Sequence, residues 1–192
     1  MRTPLMPPRL GAGLRMLAFG DVRYLACFGD QPADFLVSLA PFLVFPLVSF
    51  LILVVSGAWL DGTTALCATL CWLLAPPVIA ELFCRLWQRD AHWAKFATVM
   101  NWSRWLMVLG LLILAVVVEV LHEFNADAIA VPLLAAFAVY SIWLNVFMAR
   151  SALSLSWGRA LVVTLAIGIG TLAVTILPDY QHFPTELAKP PA

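Results

Sequence analysis

Four residues have the types and spacing to do chemistry in an otherwise apolar stretch: Glu81, Arg85, Asn101 and Arg104. Glu81 and Arg85 are four apart, and Asn101 and Arg104 are three apart, so each pair shares a helix face. Arg104 stands in NWSRW (101–105), between Trp102 and Trp105, and LMVLGLLILAVVV (106–118) follows it without a charge. The chemistry open to this set is charge pairing where water is scarce. A carboxylate set against a guanidinium offsets much of the cost of burying either. One reading is therefore a polar cluster of Glu81, Arg85, Asn101 and Arg104 between two neighbouring helices, with Arg85 competing for Glu81. The other is an interfacial anchor: an arginine can snorkel to water, and tryptophans favour that depth.

Composition says what must position these residues. Hydrophobic residues make up 63% and charged residues 11%, with mean hydropathy +0.95. A soluble domain carries about 25% charge. So few charges cannot cover a water-facing surface, and an all-α membrane bundle is expected. A crossing helix needs about 20 apolar residues. Five stretches qualify: 35–60, 63 to about 87, 93–118, 128–149 and 160–177. Residues 10–30 fall short, with leucines spaced among glycines and arginines. They suit a short amphipathic helix lying at the interface, inside an N-terminal segment 1–34. A tail, 178–192, follows the five-helix domain 35–177.

The basic residues orient the chain. Arg2, Arg9, Arg15 and Arg23 precede span one. Arg85, Arg89, Lys95 and Arg104 surround the second connection, and Arg150 and Arg159 flank the fourth. Of the eleven lysines and arginines, only Lys189 falls on the other side. By the positive-inside rule the N-terminus is cytoplasmic and the C-terminus is outside, in a bacterial inner membrane periplasmic.

Other polar and breaking residues are read as shape. Pro41, Pro46, Pro76 and Pro77 interrupt spans one and two, and such breaks serve either structure or a transport path. Ala166, Gly168 and Gly170 give span five a small-residue face for helix packing. Asn145 in span four is expected to hydrogen-bond to a neighbouring helix. Cys67 and Cys71 share a helix face but have no further ligands near them, so no metal site is expected. His122-Glu123 lacks the second histidine of a zinc-protease helix. No serine nucleophile, haem pair or phosphate loop is present, so neither catalytic residues nor cofactors are expected.

Five spans, an amphipathic lead-in and an external C-terminus resemble the Yip1-like superfamily, in particular bacterial members of alphaproteobacterial type. Pro76-Pro77 with Glu81, Met100-Asn101-Trp102 and Ala149-Arg150-Ser151-Ala152-Leu153 carry the likeness. The acidic-leucine-tyrosine-glycine-proline signature of the eukaryotic members is replaced here by Gln31-Pro32-Ala33-Asp34-Phe35, so their trafficking role is not transferred. The resemblance implies a five-helix fold with lipid or protein partners and no enzymatic activity.

The expected function is thus a non-enzymatic inner-membrane scaffold or interaction protein. Its partners would be membrane lipids, a second copy or another membrane protein, and not nucleic acid. A small transporter or channel is the alternative, and an accessory subunit of a larger membrane complex the third. Alkaline phosphatase fused after residue 177 should be active, and the same enzyme fused within 87–92 should be inactive. The reverse pattern would invert the topology.

Overall fold

The computed structural model describes residues 9–124 and 127–180, and every regular element in them is helical. Helix α1 spans Leu10–Ala18, and a 3-10 segment, Val22–Cys27, follows it. Then come α2 (Pro32–Val55), α3 (Trp59–Leu86) and α4 (Asp90–Glu123). A 3-10 turn, Asp127–Ile129, leads to α5 (Ala130–Ala152) and α6 (Trp157–Tyr180). Helices α2 to α6 are long and apolar enough to cross a membrane, which marks a multi-pass membrane protein. Arg2, His182 and Lys189 lie outside the described residues.

Local chemistry sets the ends. Pro32 opens α2, where its fixed φ suits the first turn and its missing N–H leaves nothing unpaired. Asp34 accepts from the Gln31 backbone N–H at 3.1 Å. The first span ends sooner than expected. The chain turns at Ser56-Gly57-Ala58, with Gly57 at φ +84°, a left-handed conformation that costs glycine nothing. Asp61 and Gly62, expected in the connection, belong to the first turns of α3 instead. There the helix dipole favours the Asp61 carboxylate. Gly62 is buried, and a Cβ on it would lie 3.1 Å from the Cβ of Leu53 on α2.

The five long helices close a ring. Helix α2 packs on α3, α3 on α6, α6 on α5, α5 on α4, and α4 back on α2, with a further contact between α3 and α4. Burial concentrates at one end of this ring. It covers Phe35, Ser38 and Leu39 of α2, Leu73, Pro76, Pro77, Ala80 and Cys84 of α3, and most of Ala94 to Ser103 of α4. It continues through Leu144 to Ala152 of α5 and Ala160 with Val163 of α6. Toward the other end most large side chains are exposed, Ile113, Val131 and Ile169 among them.

The N-terminal segment finishes the packed end. A helix forms at Leu10–Ala18, and its Gly13 and Leu17 face is buried against protein. Gly20, at φ +71°, ends it, and Asp21 caps the 3-10 segment by accepting from the Arg23 backbone N–H at 3.0 Å. Tyr24 is wholly buried. Its hydroxyl lies 2.6 Å from Ser151 Oγ, and its ring centroid is 5.9 Å from that of Phe147. Tyr140 of α5 donates to the Ala18 carbonyl at 2.9 Å. Residues 10–28 are thus packed across the end of the bundle through one face.

Burial raises the Tyr24 phenol from its ordinary 10 to about 12, outweighing the opposing effect of the Ser151 hydrogen bond. The buried form is neutral, so Tyr24 contributes its full stabilisation below pH 10. That contribution, of order 3 kcal/mol for a two-unit shift, is lost as pH rises from 10 through 12. Limited proteolysis of residues 10–28 in detergent should accelerate steeply across that window. Tyr24→Phe should remove this pH step while costing only about 1 kcal/mol for the lost hydrogen bond.

Candidate functional site

The site begins with two prolines. A proline inside a helix has no N–H, so the carbonyl four residues earlier loses its partner. Pro76 and Pro77 therefore free the carbonyls of Trp72 and Leu73 in the middle of α3. Arg104 Nη2 donates to the Leu73 carbonyl in a long contact of 3.4 Å. Trp93 Nε1 donates to the Pro77 carbonyl at 2.8 Å, a second tie from α4 to the same break. The Arg104 guanidinium also lies over two aromatic rings, 5.2 Å from Trp72 of α3 and 5.9 Å from Phe42 of α2. Phe42 in turn packs on Trp105, with centroids 5.1 Å apart.

No carboxylate of the described residues joins this arrangement. Among the described residues the ion pairs are Arg23–Asp21 and Arg85–Glu81. Arg85 bonds Glu81 at 2.5 Å one turn away on α3, with the Arg85 side chain largely exposed. Asn101 is fully buried and points elsewhere. Its Nδ2 donates to Ser38 Oγ at 2.9 Å, and Ser38 donates to the Phe35 carbonyl at 2.6 Å, which joins α4 to α2. The expected four-residue cluster is thus divided: Glu81 stays with Arg85, Asn101 goes to Ser38, and Arg104 goes to Leu73. The reason is depth. Leu73 and Glu81 are eight residues apart, about 12 Å along the helix axis. Arg104 meets α3 at Leu73, two turns away from the glutamate.

Between α3, α4, α5 and α6 the ring does not fill. An open cleft of about 440 Å³ is lined by Trp72 and Pro76 of α3 and by Ser103 and Arg104 of α4. Asn145 of α5 and Thr171 of α6 complete its polar wall. A second cleft of about 400 Å³ adjoins it, sharing Met100, Asn145, Ile167, Gly168 and Leu172. Two buried polar atoms on the first cleft's lining residues, Arg104 Nη1 and Thr171 Oγ1, have no partner among the described residues. Asn101 Oδ1 and Trp105 Nε1 are in the same condition. Buried polar atoms without a partner are rare and costly, so each calls for an explanation.

The small-residue face of α6 divides its work. Gly170 takes the close approach of α3, where a Cβ would collide with Ile79. Gly168 has open space where its Cβ would stand and lines both clefts. Ala166 is half-buried. Asn145, expected to bond to a neighbouring helix, donates instead to the Ser141 carbonyl of its own helix at 2.8 Å. Among the described residues no three His, Cys, Asp or Glu side chains converge as metal ligands.

Sequence reasoning noted the proline pair and the arginine separately and missed their connection. Position 73 is four residues before Pro77, and that spacing was the available signal for an unpaired acceptor. Ser38, Trp72 and Thr171 gave no signal, because each is an ordinary residue within a span. Comparison with protein-family models, curated proteins and solved structures finds no match.

Two measurements follow. Restoring the backbone N–H with Pro77→Ala gives the Leu73 carbonyl a helix partner and makes Arg104 redundant there. A double-mutant cycle of Pro77→Ala with Arg104→Gln should therefore show a coupling of roughly 0.5–3 kcal/mol in unfolding free energy. Additive effects would dissolve the link. Exchanging charges, Glu81→Arg with Arg104→Glu, should yield no more folded membrane protein than the worse single variant. Rescue by the exchange would restore the ion-pair reading.

Proposed function

We propose that this chain is a binding module of a bacterial inner membrane, with its N-terminus cytoplasmic and its C-terminus periplasmic. In this reading its work is recognition, not reaction. The observation that supports it is the cleft at Arg104: a pre-formed space with mostly apolar walls and a few convergent polar groups, which is the usual make-up of a small-ligand site. An ionisable residue far inside a spanning helix is itself a functional signal. Arg104 is fourteen residues into α4, about 21 Å from Asp90 along the axis.

The Yip1-like resemblance is kept within the same proposal, as a kinship of topology and of partner or lipid binding. Transport ranks second, and one feature favours it: the two clefts adjoin, giving mid-membrane space on two sides of Asn145 and Gly168.

Thiol labelling separates the two readings. In a variant lacking the four native cysteines, a cysteine at position 145 or 168 should resist a membrane-impermeant maleimide added from either side. It should react with a lipid-soluble one. Labelling by the impermeant reagent from both sides would establish a water path and put transport first.

A further inference from the structure

We infer that the Arg104 cleft holds the acidic head of an anionic amphiphile, a carboxylate or phosphate carrying an alkyl chain. The inference rests on the binding reading above and names its ligand class.

Three observations carry it. The first is an unmatched pair of groups: Arg104 Nη1 from α4 and Thr171 Oγ1 from α6 are buried, belong to residues that line one cleft, and have no hydrogen-bond partner among the described residues. Helices α4 and α6 are not a packed pair of the ring, and neither group bonds across the gap between them. An oxyanion supplies several acceptor lone pairs at one centre and satisfies both groups. The planar guanidinium fork matches either carboxylate or phosphate.

The second is the way the arginine is held. Nη2 on the Leu73 carbonyl and the ring contacts with Trp72 and Phe42 fix the guanidinium without neutralising it. Neither contact is a carboxylate, and Nη1 is left without a partner among the described residues. A preorganised donor loses little entropy when its ligand arrives.

The third observation selects an amphiphile over a free ion. The rest of the wall is apolar, with Met100, Met107, Ile167 and Leu172 beside the polar groups. Trp72, Gly168 and Leu172 of the lining are exposed on helices at a level well inside the spans. A small hydrated anion must shed its water to reach such a place, at heavy cost. An amphiphile already in the bilayer enters laterally and leaves its chain among lipid or along the adjoining cleft.

The test uses the full chain in nanodiscs of zwitterionic phosphatidylcholine, at an alkaline pH where a fatty acid is ionised. Dibromostearate quenches tryptophan on contact, and Trp72 lines the cleft. A saturable quenching component is expected, and Trp72→Phe should abolish it. Arg104→Gln should raise its half-saturation tenfold or more. Gly168→Phe, which enters open space and leaves the arginine intact, should block it while the thermal transition stays near that of the wild type. Brominated phosphatidylglycerol should give the same saturable quenching if lipid headgroups are the source, and dibromostearate alone should act if free fatty acids are.

Equal saturable quenching by the neutral dibromostearyl alcohol would overturn the inference, as would wild-type quenching in both Arg104→Gln and Gly168→Phe. Displacement by inorganic phosphate at matched concentration would mark a free-anion site, ending the amphiphile assignment while leaving the binding reading intact. The absence of any saturable component with all three brominated probes would sink both.

Discussion

A backbone acceptor freed by a proline is the constraint around which the middle of this protein is arranged. Inside a bilayer no water satisfies a bare carbonyl, so the protein must supply a donor. Pro77 creates that need at Leu73, and Arg104 of α4 meets it. The same requirement makes the arginine tolerable. An isolated guanidinium near mid-bilayer costs about 2.5–3.5 kcal/mol on insertion scales. A carbonyl partner and two aromatic faces reduce that cost without cancelling the charge. This contact and the Trp93 bond to the Pro77 carbonyl together fix the relative depth of α3 and α4, and α2 joins through Phe42.

Packing is divided along the membrane normal. At one end the helices interlock, Asn101 and Ser38 bridge α4 to α2, and the N-terminal segment packs across the bundle. Beyond the level of Arg104 the apolar side chains face outward, and clefts separate α4 from α6. Regions with few internal contacts open at lower free energy than a packed core. The rigid end therefore holds the arginine in place, while the looser half leaves access to it. Position and access come from opposite halves of one bundle.

The helix ends show a similar division of labour between local and distant causes. Gly57 and Asp61 are local signals, and both act as backbone chemistry dictates, although the turn falls on the former. Residues 10–28 behave differently. Their spacing of leucines suggests a helix resting on lipid headgroups, and in the fold Tyr24 meets Phe147 and Ser151 of α5, more than a hundred residues away. Amphipathicity reveals that a face will be covered, not what covers it.

The sequence by itself determined that this is a bundle of five apolar helices, roughly where each begins and ends, and that Arg104 stands inside the third. Those features follow from summed hydropathy and from proline and glycine geometry, which are properties of single segments. Only the tertiary structure decided that Glu81 keeps Arg85, that Asn101 turns to Ser38, and that Arg104 reaches Leu73. Partner choice depends on the phase and relative depth of separate helices. An offset of two turns, about 12 Å, leaves every hydropathy value unchanged while exchanging one partner for another.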